Sequence, residues 1–381
     1  MLRFLTAGES HGKGLTAVLE GMPAGISISE AYIAADLKRR QGGYGRGGRM
    51  QIEQDYAEII SGVRHGLTIG SPISMLIRNR DWENWQDIMS ISPADGGIEP
   101  VTKLRPGHAD LAGVAKYDFD DIRPILERAS ARETAARVAV GAVCRKFLAE
   151  LGIGIHSHVT AIGACYADPG ETVDWERVEQ SPVRCANADD EKEMISAIDA
   201  AKEAGDSLGG TFEVVAGGVP IGLGSHIQWD RRINARIALA IMSIQAVKGV
   251  EIGAGFAFAD LRGSQAHDEI TPGLKRPTNW AGGIEGGMTN GQPIVVQAAV
   301  KPIATIPSPL SSIDLRTGEV VKAHFERADA CVVPAAGVIG EAMLAIVLAE
   351  AVLEKFGGDH IEETLRNFRG YTEHLDSRFG M

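Results

Sequence analysis

PILERASARETAARVAVGAVCRKFLAEL, residues 124–151, is the stretch on which the fold turns. Pro124 sits where a first helical turn tolerates it, and Ile125, Ala129, Val138, Val140, Val143 and Phe147 recur at helical spacing. That pattern predicts one long helix packed in the core. On a continuous helix Arg128 and Arg132, four apart, share a face, and the small residues between them let a flat ligand approach the backbone. Further helices are expected over 190–203, 231–247 and 338–356, and a capping box at Ser27-Ile28-Ser29-Glu30 opens another that runs to about Arg40 and stops at Gly42-Gly43. Strands are expected over 15–19, 52–63, 72–77, 155–162, 211–215, 250–258 and 293–300, interleaved with the helices but in no strict βαβ rhythm. Residues 81–102, with Trp82 and Trp85, are turn-rich and read as a surface excursion.

At 381 residues the chain exceeds what one small core needs, and 44% apolar with 23% charged residues is globular composition. The 46 glycines, against a usual ~7% of residues, point to turns and close backbone approaches. A net charge of −12 disfavours general nucleic-acid binding. Cys144, Cys165, Cys185 and Cys331 have no CxxC spacing, so neither a zinc site nor a disulfide framework is expected, and a cytoplasmic protein fits. The N-terminus has no apolar run of signal-peptide length, and the most apolar stretch, 342–349 between Glu341 and Glu350, is far short of the ~20 residues that span a bilayer. It reads as a buried helix. Gly12, Val18, Gly21, Pro23 and Gly25 recur as Gly209, Val215, Gly218, Pro220 and Gly222 at one offset of 197, a faint sign of two similar halves.

The charge is unevenly spread: the first fifty residues hold seven basic and four acidic side chains, net +3, so the remainder carries −15. Lys38-Arg39-Arg40-Gln41-Gly42-Gly43-Tyr44-Gly45-Arg46-Gly47-Gly48-Arg49 concentrates that excess in a glycine-rich loop. Arginine forks suit carboxylate and phosphate, so the loop reads as a small-anion site, with an RGG-like RNA contact as the competing reading. Gly8-Glu9-Ser10-His11-Gly12 matches the GxSxG of a serine-hydrolase elbow, but too few residues precede it to build that elbow's sheet. Alternatively its glycines turn the backbone tightly and present His11 to a ligand. Arg105 and His108 flank a Pro-Gly turn, and Asp329 stands in an apolar neighbourhood where it either acts as a base or pairs with Arg327. His156 and His158 alternate along a strand and read as an exposed face. No P-loop, GxGxxG or HExxH occurs.

Taken in order, GESHG at Gly8, RRQGGYGRGGRM at Arg39, RPGHADL at Arg105, ERASARETAARVA at Glu127, SIQAVKGVEIG at Ser243, GGIEGGMTNGQP at Gly282, KPIATI at Lys301 and RADACVVPAAGVIGEAM at Arg327 resemble the chorismate synthases, of the bacterial, monofunctional kind. The resemblance implies an α+β fold, a β-α-β sandwich with a pseudo-twofold internal repeat. It also implies one large unit over 1–381, its halves dividing near 200, and a homotetramer. The implied reaction is the anti 1,4-elimination of phosphate from 5-enolpyruvylshikimate 3-phosphate, giving chorismate, with reduced FMN and no net redox change.

Residue by residue, the resemblance assigns Arg40, Arg46, Arg49, Arg105 and Arg132 to the substrate, and His11 to the leaving phosphate. It assigns His108 to protonation of the reduced flavin, and Asp329, helped by Ser10 and Ser130, to accepting a proton from it. The flavin would lie against Arg128, Ala129, Ser130, Gln245, Ala246, Gly286, Lys301, Pro302, Ile303, Ala304, Thr305 and Arg327. Ala129 and Ala328 stand where many relatives carry a polar residue, and Ile303 replaces a common Thr. Reducing equivalents from NAD(P)H are expected through a separate flavin reductase, since no dinucleotide fingerprint is present. Neither a nucleic-acid nor a membrane partner is expected.

Overall fold

The computed structural model describes residues 1–47, 54–93, 96–326 and 329–380. Alternation makes its strands one-sided: Leu15, Ala17 and Leu19 are buried while Thr16 and Val18 are exposed, so that face must be covered. β1 (Arg3–Ala7), β2 (Gly14–Glu20), β3 (Ala57–Ser61) and, after a hairpin of β4 (Val63–Arg64) and β5 (Leu67–Thr68), β6 (Ile73–Arg78) form an antiparallel sheet ordered β1-β2-β6-β3. The second antiparallel sheet uses β7 (Gly154–Ile162), β8 (Cys165–Tyr166), β9 (Gly210–Gly217), β10 (Val247–Ile252) and, after a hairpin of β11 (Ile284–Glu285) and β12 (Met288–Thr289), β13 (Ile294–Val300). Its order is β10-β13-β9-β7-β8.

The helices are α1 (Glu30–Gln41), α2 (Asp110–Tyr117), α3 (Arg123–Arg128), α4 (Thr134–Ala149), α5 (Trp175–Gln180), α6 (Ala188–Glu203), α7 (Ile233–Met242), α8 (Gly263–Ala266), α9 (Val333–Phe356) and α10 (Ile361–Phe379). α4 lies against β2 and β6, α9 lies against β7 and β9, and the two helices pack on each other, so helices fill the space between the sheets. This is the α+β, β-α-β sandwich that the resemblance implied. Gly141 permits the α4–α9 crossing, because a Cβ there would stand 2.6 Å from the Ala342 Cα. Among the described residues only α9 is long and apolar enough to cross a membrane, and 89% of its apolar window is buried in the protein.

Residues 124–151 are not one helix. α3 ends at Arg128, and Ser130 turns extended at φ −63°, ψ 142°. Its hydroxyl accepts from the Arg132 amide, and a 3-10 turn leads into α4. Serine competes for backbone donors and so restarts a helix rather than continuing one. Arg128 and Arg132 therefore share no face.

Other boundaries move for similar local reasons. Ser29, not Ser27, caps α1, since the Ser27 backbone pairs with Leu67. The helix expected over 231–247 spans only Ile233–Met242, because Val247 is drawn into pairing with Val300, and Ala246 turns at φ 68°. The strand expected over 250–258 stops at Ile252, where Gly253 and Gly255 take positive φ. His156 and His158 form no exposed face: His158 is 1% exposed, and both rings pack on Trp175 at the start of α5.

Glycines at the two offset positions share local geometry, and so do two threonines. Gly21 and Gly218 turn at φ 90° and 75°, and Gly25 and Gly222 at 88° and 86°. Thr68 and Thr289, each in a short hairpin, make matching bonds. Each hydroxyl donates to a proline carbonyl, of Pro23 or Pro220, and accepts the amide of Ile26 or Leu223.

Candidate active site

Tight turning of the β1–β2 connection starts the site. At Gly8 φ is 104°, and a Cβ there would stand 2.9 Å from the Leu15 Cα, so only glycine fits. Asn79, just past β6, donates from Nδ2 to the carbonyls of Glu9, Ser10 and Gly12 at 3.2, 3.1 and 2.7 Å. Its Oδ1 accepts from Arg132 Nε and Nη2 at 3.1 and 2.9 Å. Sequence reasoning missed this hub, as it missed Asp55, which takes both Arg132 and Arg40.

Arg40, at the end of α1, donates to Asp55 at 3.2 Å, to the Thr134 hydroxyl at 2.9 Å and to the Ala131 carbonyl at 3.0 Å. Burial, joined by the charges of Arg132 and Arg46 and opposed by Asp55 and Asp329, pushes this guanidinium down to about 9, so it is a cation at neutral pH. Two buried guanidiniums thus meet at one carboxylate, and arginine forks of this kind suit a carboxylate or a phosphate. Its neighbour Arg39 faces away, towards Glu341 and Glu179. Asp329 does not stand against apolar surface: Arg46 Nη1 lies 3.2 Å from it, and the Gly47 amide donates to it at 2.6 Å. A cleft of about 410 Å³ opens beside Arg46 and Asp329, lined also by Ile198, Asp199, Lys202 and Pro307. Arg49, Arg327 and Ala328 lie outside the described residues.

The break after α3 brings Ser130 to Ser10, with its hydroxyl donating at 3.2 Å. Beside them, His11 Nδ1 is 2.9 and 3.0 Å from the two oxygens of Glu127, and its ring stacks on Trp85 at 3.8 Å. The excursion that carries Trp85 therefore returns to the site. Burial opposes ionisation of Glu127, but the bonds and charge of His11 and Arg123 outweigh it and hold the carboxyl below the usual range.

A second cluster forms at the Pro-Gly turn, where Arg105 Nε and Nη2 each donate to Asp110 at 2.8 Å and His108 Nδ1 lies 2.6 Å from it. Asp110 is fully buried, and the hydrogen bonds of Arg105 and His108 with the Arg105 charge overcome its desolvation to hold it well below the carboxylate range. The Lys301 ammonium donates to the Gly107 carbonyl, and the Lys301 amide donates to the Ala246 carbonyl at 2.9 Å, which joins the 301–305 segment to both turns. The Ala304 Cβ lies 3.4 Å from where a Gly107 Cβ would be, and the Ile303 carbonyl accepts from Ser207 at 2.8 Å. Gln245 donates to Glu133 at 3.2 Å, while its Oε1 is buried with no hydrogen-bond partner among the described residues. Arg128 turns back to the carbonyls of Thr6 and Gly8, at 3.0 and 2.9 Å. Gly286 sits between β11 and β12, and no hydrogen bond among the described residues ties it to either cluster.

Residues 2–353 match the chorismate synthase family. The chain belongs to that family. A chorismate synthase of Aquifex aeolicus (strain VF5) is 58% identical over 99% of this chain and 98% of its own length. One from Moorella thermoacetica is 55% identical, with 98% of this chain and all of that relative (100%) covered. A crystal structure of chorismate synthase aligns with a TM-score of 0.79 at 49% identity, covering 99% of this chain and 98% of that one. The chorismate synthase family consists of carbon–oxygen lyases acting on phosphates that depend on reduced FMN. The residues here fit such a group: the buried Gln245 Oε1 is an acceptor open to a ring N–H, and Lys301, whose charge burial and Lys248 oppose, would gain from a phosphate.

Proposed function

We propose that Arg40, Arg46, Arg105 and Arg132 bind 5-enolpyruvylshikimate 3-phosphate and that His11 assists the departing phosphate in its anti 1,4-elimination to chorismate. The observation that carries this reading is the buried pair of guanidiniums on Asp55, beside Ser10, His11 and Ser130. A substrate with two carboxylates and a phosphate carries about −4 in total, a charge several fixed arginines would hold without reorganising. As the C–O bond breaks, its electron pair goes to the phosphate, and His11 Nε2 supplies a proton or a hydrogen bond to the developing charge. Asp329, held by Arg46 and the Gly47 amide, is the carboxylate that accepts a proton, with the Ser10 and Ser130 hydroxyls as its helpers. His108, fixed by Asp110, is the second proton donor.

Reduced FMN, when bound, supplies electron density to the substrate with no net redox change. Gln245, Ala246 and Lys301 to Thr305 would hold it, with Arg128, Ala129, Ser130, Gly286 and Arg327, while Arg49 joins the arginines on the substrate. NAD(P)H would act through a separate flavin reductase. In this reading the protein is one large unit that works in the cytoplasm as a homotetramer. Four free thiols support a reducing compartment, and exposed Leu5, Trp229, Leu239 and Phe256 offer apolar surface for assembly. The RNA reading is disfavoured because Arg40, Arg46 and Arg132 are engaged in ion pairs inside the protein rather than displayed.

Calorimetric titration tests the assignment. Arg132→Lys keeps the charge but loses the forked contact with Asn79, and its Kd for 5-enolpyruvylshikimate 3-phosphate is expected to rise about 100-fold, roughly 2.7 kcal/mol. An unchanged Kd in the folded variant would contradict it.

A further inference from the structure

His11 is gripped by a carboxylate for which the reading above has no use. Glu127 lies at the end of α3 with its side chain fully buried (0% exposed). Besides the two contacts with Nδ1, its Oε2 accepts the His11 amide at 2.7 Å. An ionised carboxylate only accepts, so the nitrogen that faces it carries hydrogen. One turn earlier on the helix, Arg123 donates to Glu127 at 3.1 Å and to Glu326 at 2.7 Å, and lies 5.3 Å over the Trp85 ring. Glu326 in turn meets His324 Nε2 at 3.2 Å. The imidazole is thus held at one edge by a carboxylate and on one face by an indole. Nε2 is left as the ring nitrogen with no hydrogen bond to the protein among the described residues.

We infer that Glu127 is a positioning residue for His11. It fixes a hydrogen on Nδ1, so that Nε2 is the atom aimed at the ligand and the Nε2 proton is the one handed over. In that step the Nε2–H bond breaks as an O–H bond forms on the departing phosphate, the C–O electron pair stays with the phosphate, and Glu127 remains ionised. Arg123 keeps Glu127 charged and, with Trp85, stops the ring from turning. This rests on the lyase reading and adds to it a residue that touches neither substrate nor flavin. A carboxylate that orients a histidine in this way secures the useful tautomer as well as the position.

The test combines kinetics and spectroscopy on the full-length enzyme. With reduced FMN under anaerobic conditions, Glu127→Gln is expected to lower kcat about 100-fold with KM within about threefold, and Glu127→Asp, which keeps the charge, to recover part of the loss. The double variant His11→Asn, Glu127→Gln should be no slower than His11→Asn alone, because a residue acting only through His11 has nothing left to act on. In 15N spectra of the wild-type protein, the histidine signals that vanish in His11→Asn should show a protonated Nδ1. Losses that multiply in the double variant, or an unchanged kcat in Glu127→Gln, would overturn the proposal. If the glutamine variant does not fold, the wild-type spectrum still decides, since an unprotonated Nδ1 in an enzyme that turns over would overturn the proposal alone. No turnover in the wild-type protein would overturn the lyase reading and this proposal with it.

Discussion

Asp55 takes both Arg40 and Arg132, so its carboxylate decides how the buried guanidinium pair is held. Asp55→Asn would leave Arg40 and Arg132 buried against a neutral amide, a loss expected to cost about 3–5 kcal/mol in urea unfolding. The same variant should gain more thermal stabilisation from inorganic phosphate than the wild-type protein does, because the anion then replaces the missing charge. Equal stabilisation of the two proteins would count against the arginine pair as the anion site. Ser10, His11, Arg40 and Ser130, which the fold brings near one another, each stand in a motif with a chemical reason to exist. Asp55, Asn79 and Trp85 were not legible in the sequence, because their roles come from what tertiary folding places beside them. Asn79 follows a strand with no motif around it, and Trp85 lies in a turn-rich excursion.

Helix α9 carries Glu341 fully buried beside its apolar stretch. Arg39 donates to it through both terminal nitrogens at 2.7 and 2.8 Å, Ser157 donates at 2.7 Å, and Arg145 and Arg184 stand at 3.3 and 3.2 Å. The network ties α1, α4, β7 and α9 together. Burial disfavours the Glu341 anion, but the arginines outweigh it and hold the carboxyl below its ordinary range; Glu179, buried in part and bonded by Arg39 and Arg184, is held down to about 2. A carboxylate with a depressed folded-state pKa stabilises fully above the ordinary value and progressively less as pH falls towards the folded one. Tm should therefore drop steeply between about pH 4.5 and pH 2. Glu341→Gln should lower Tm at pH 7 and flatten that acid limb, and a limb as steep as wild type would contradict the account. At this scale the sequence placed α9 and the main strands. It missed the break at Ser130 because a single serine between two alanines is a weak signal for a cap, and its hydroxyl takes the Arg132 amide only once the chain turns extended there.

In the molecule as a whole, a four-stranded and a five-stranded sheet each rest on a buried helix, and those helices, α4 and α9, pack on each other. The offset of 197 was visible because Gly21, Gly25, Gly218 and Gly222 must all adopt positive φ, which fixes residue identity. Thr68 and Thr289 escaped notice because they do not keep that offset, although their hydrogen bonds match. Thr68→Val and Thr289→Val should each cost about 1–2 kcal/mol in chemical denaturation, and their effects should add in the double variant. A large effect at one threonine and none at the other would argue against equivalent roles. The most direct test of the central claim is an anaerobic assay of the purified protein with 5-enolpyruvylshikimate 3-phosphate, with and without chemically reduced FMN, following phosphate release and chorismate absorbance together. Phosphate and chorismate formed in equal amounts, and only with reduced FMN, is the predicted result; folded protein that forms neither would contradict it.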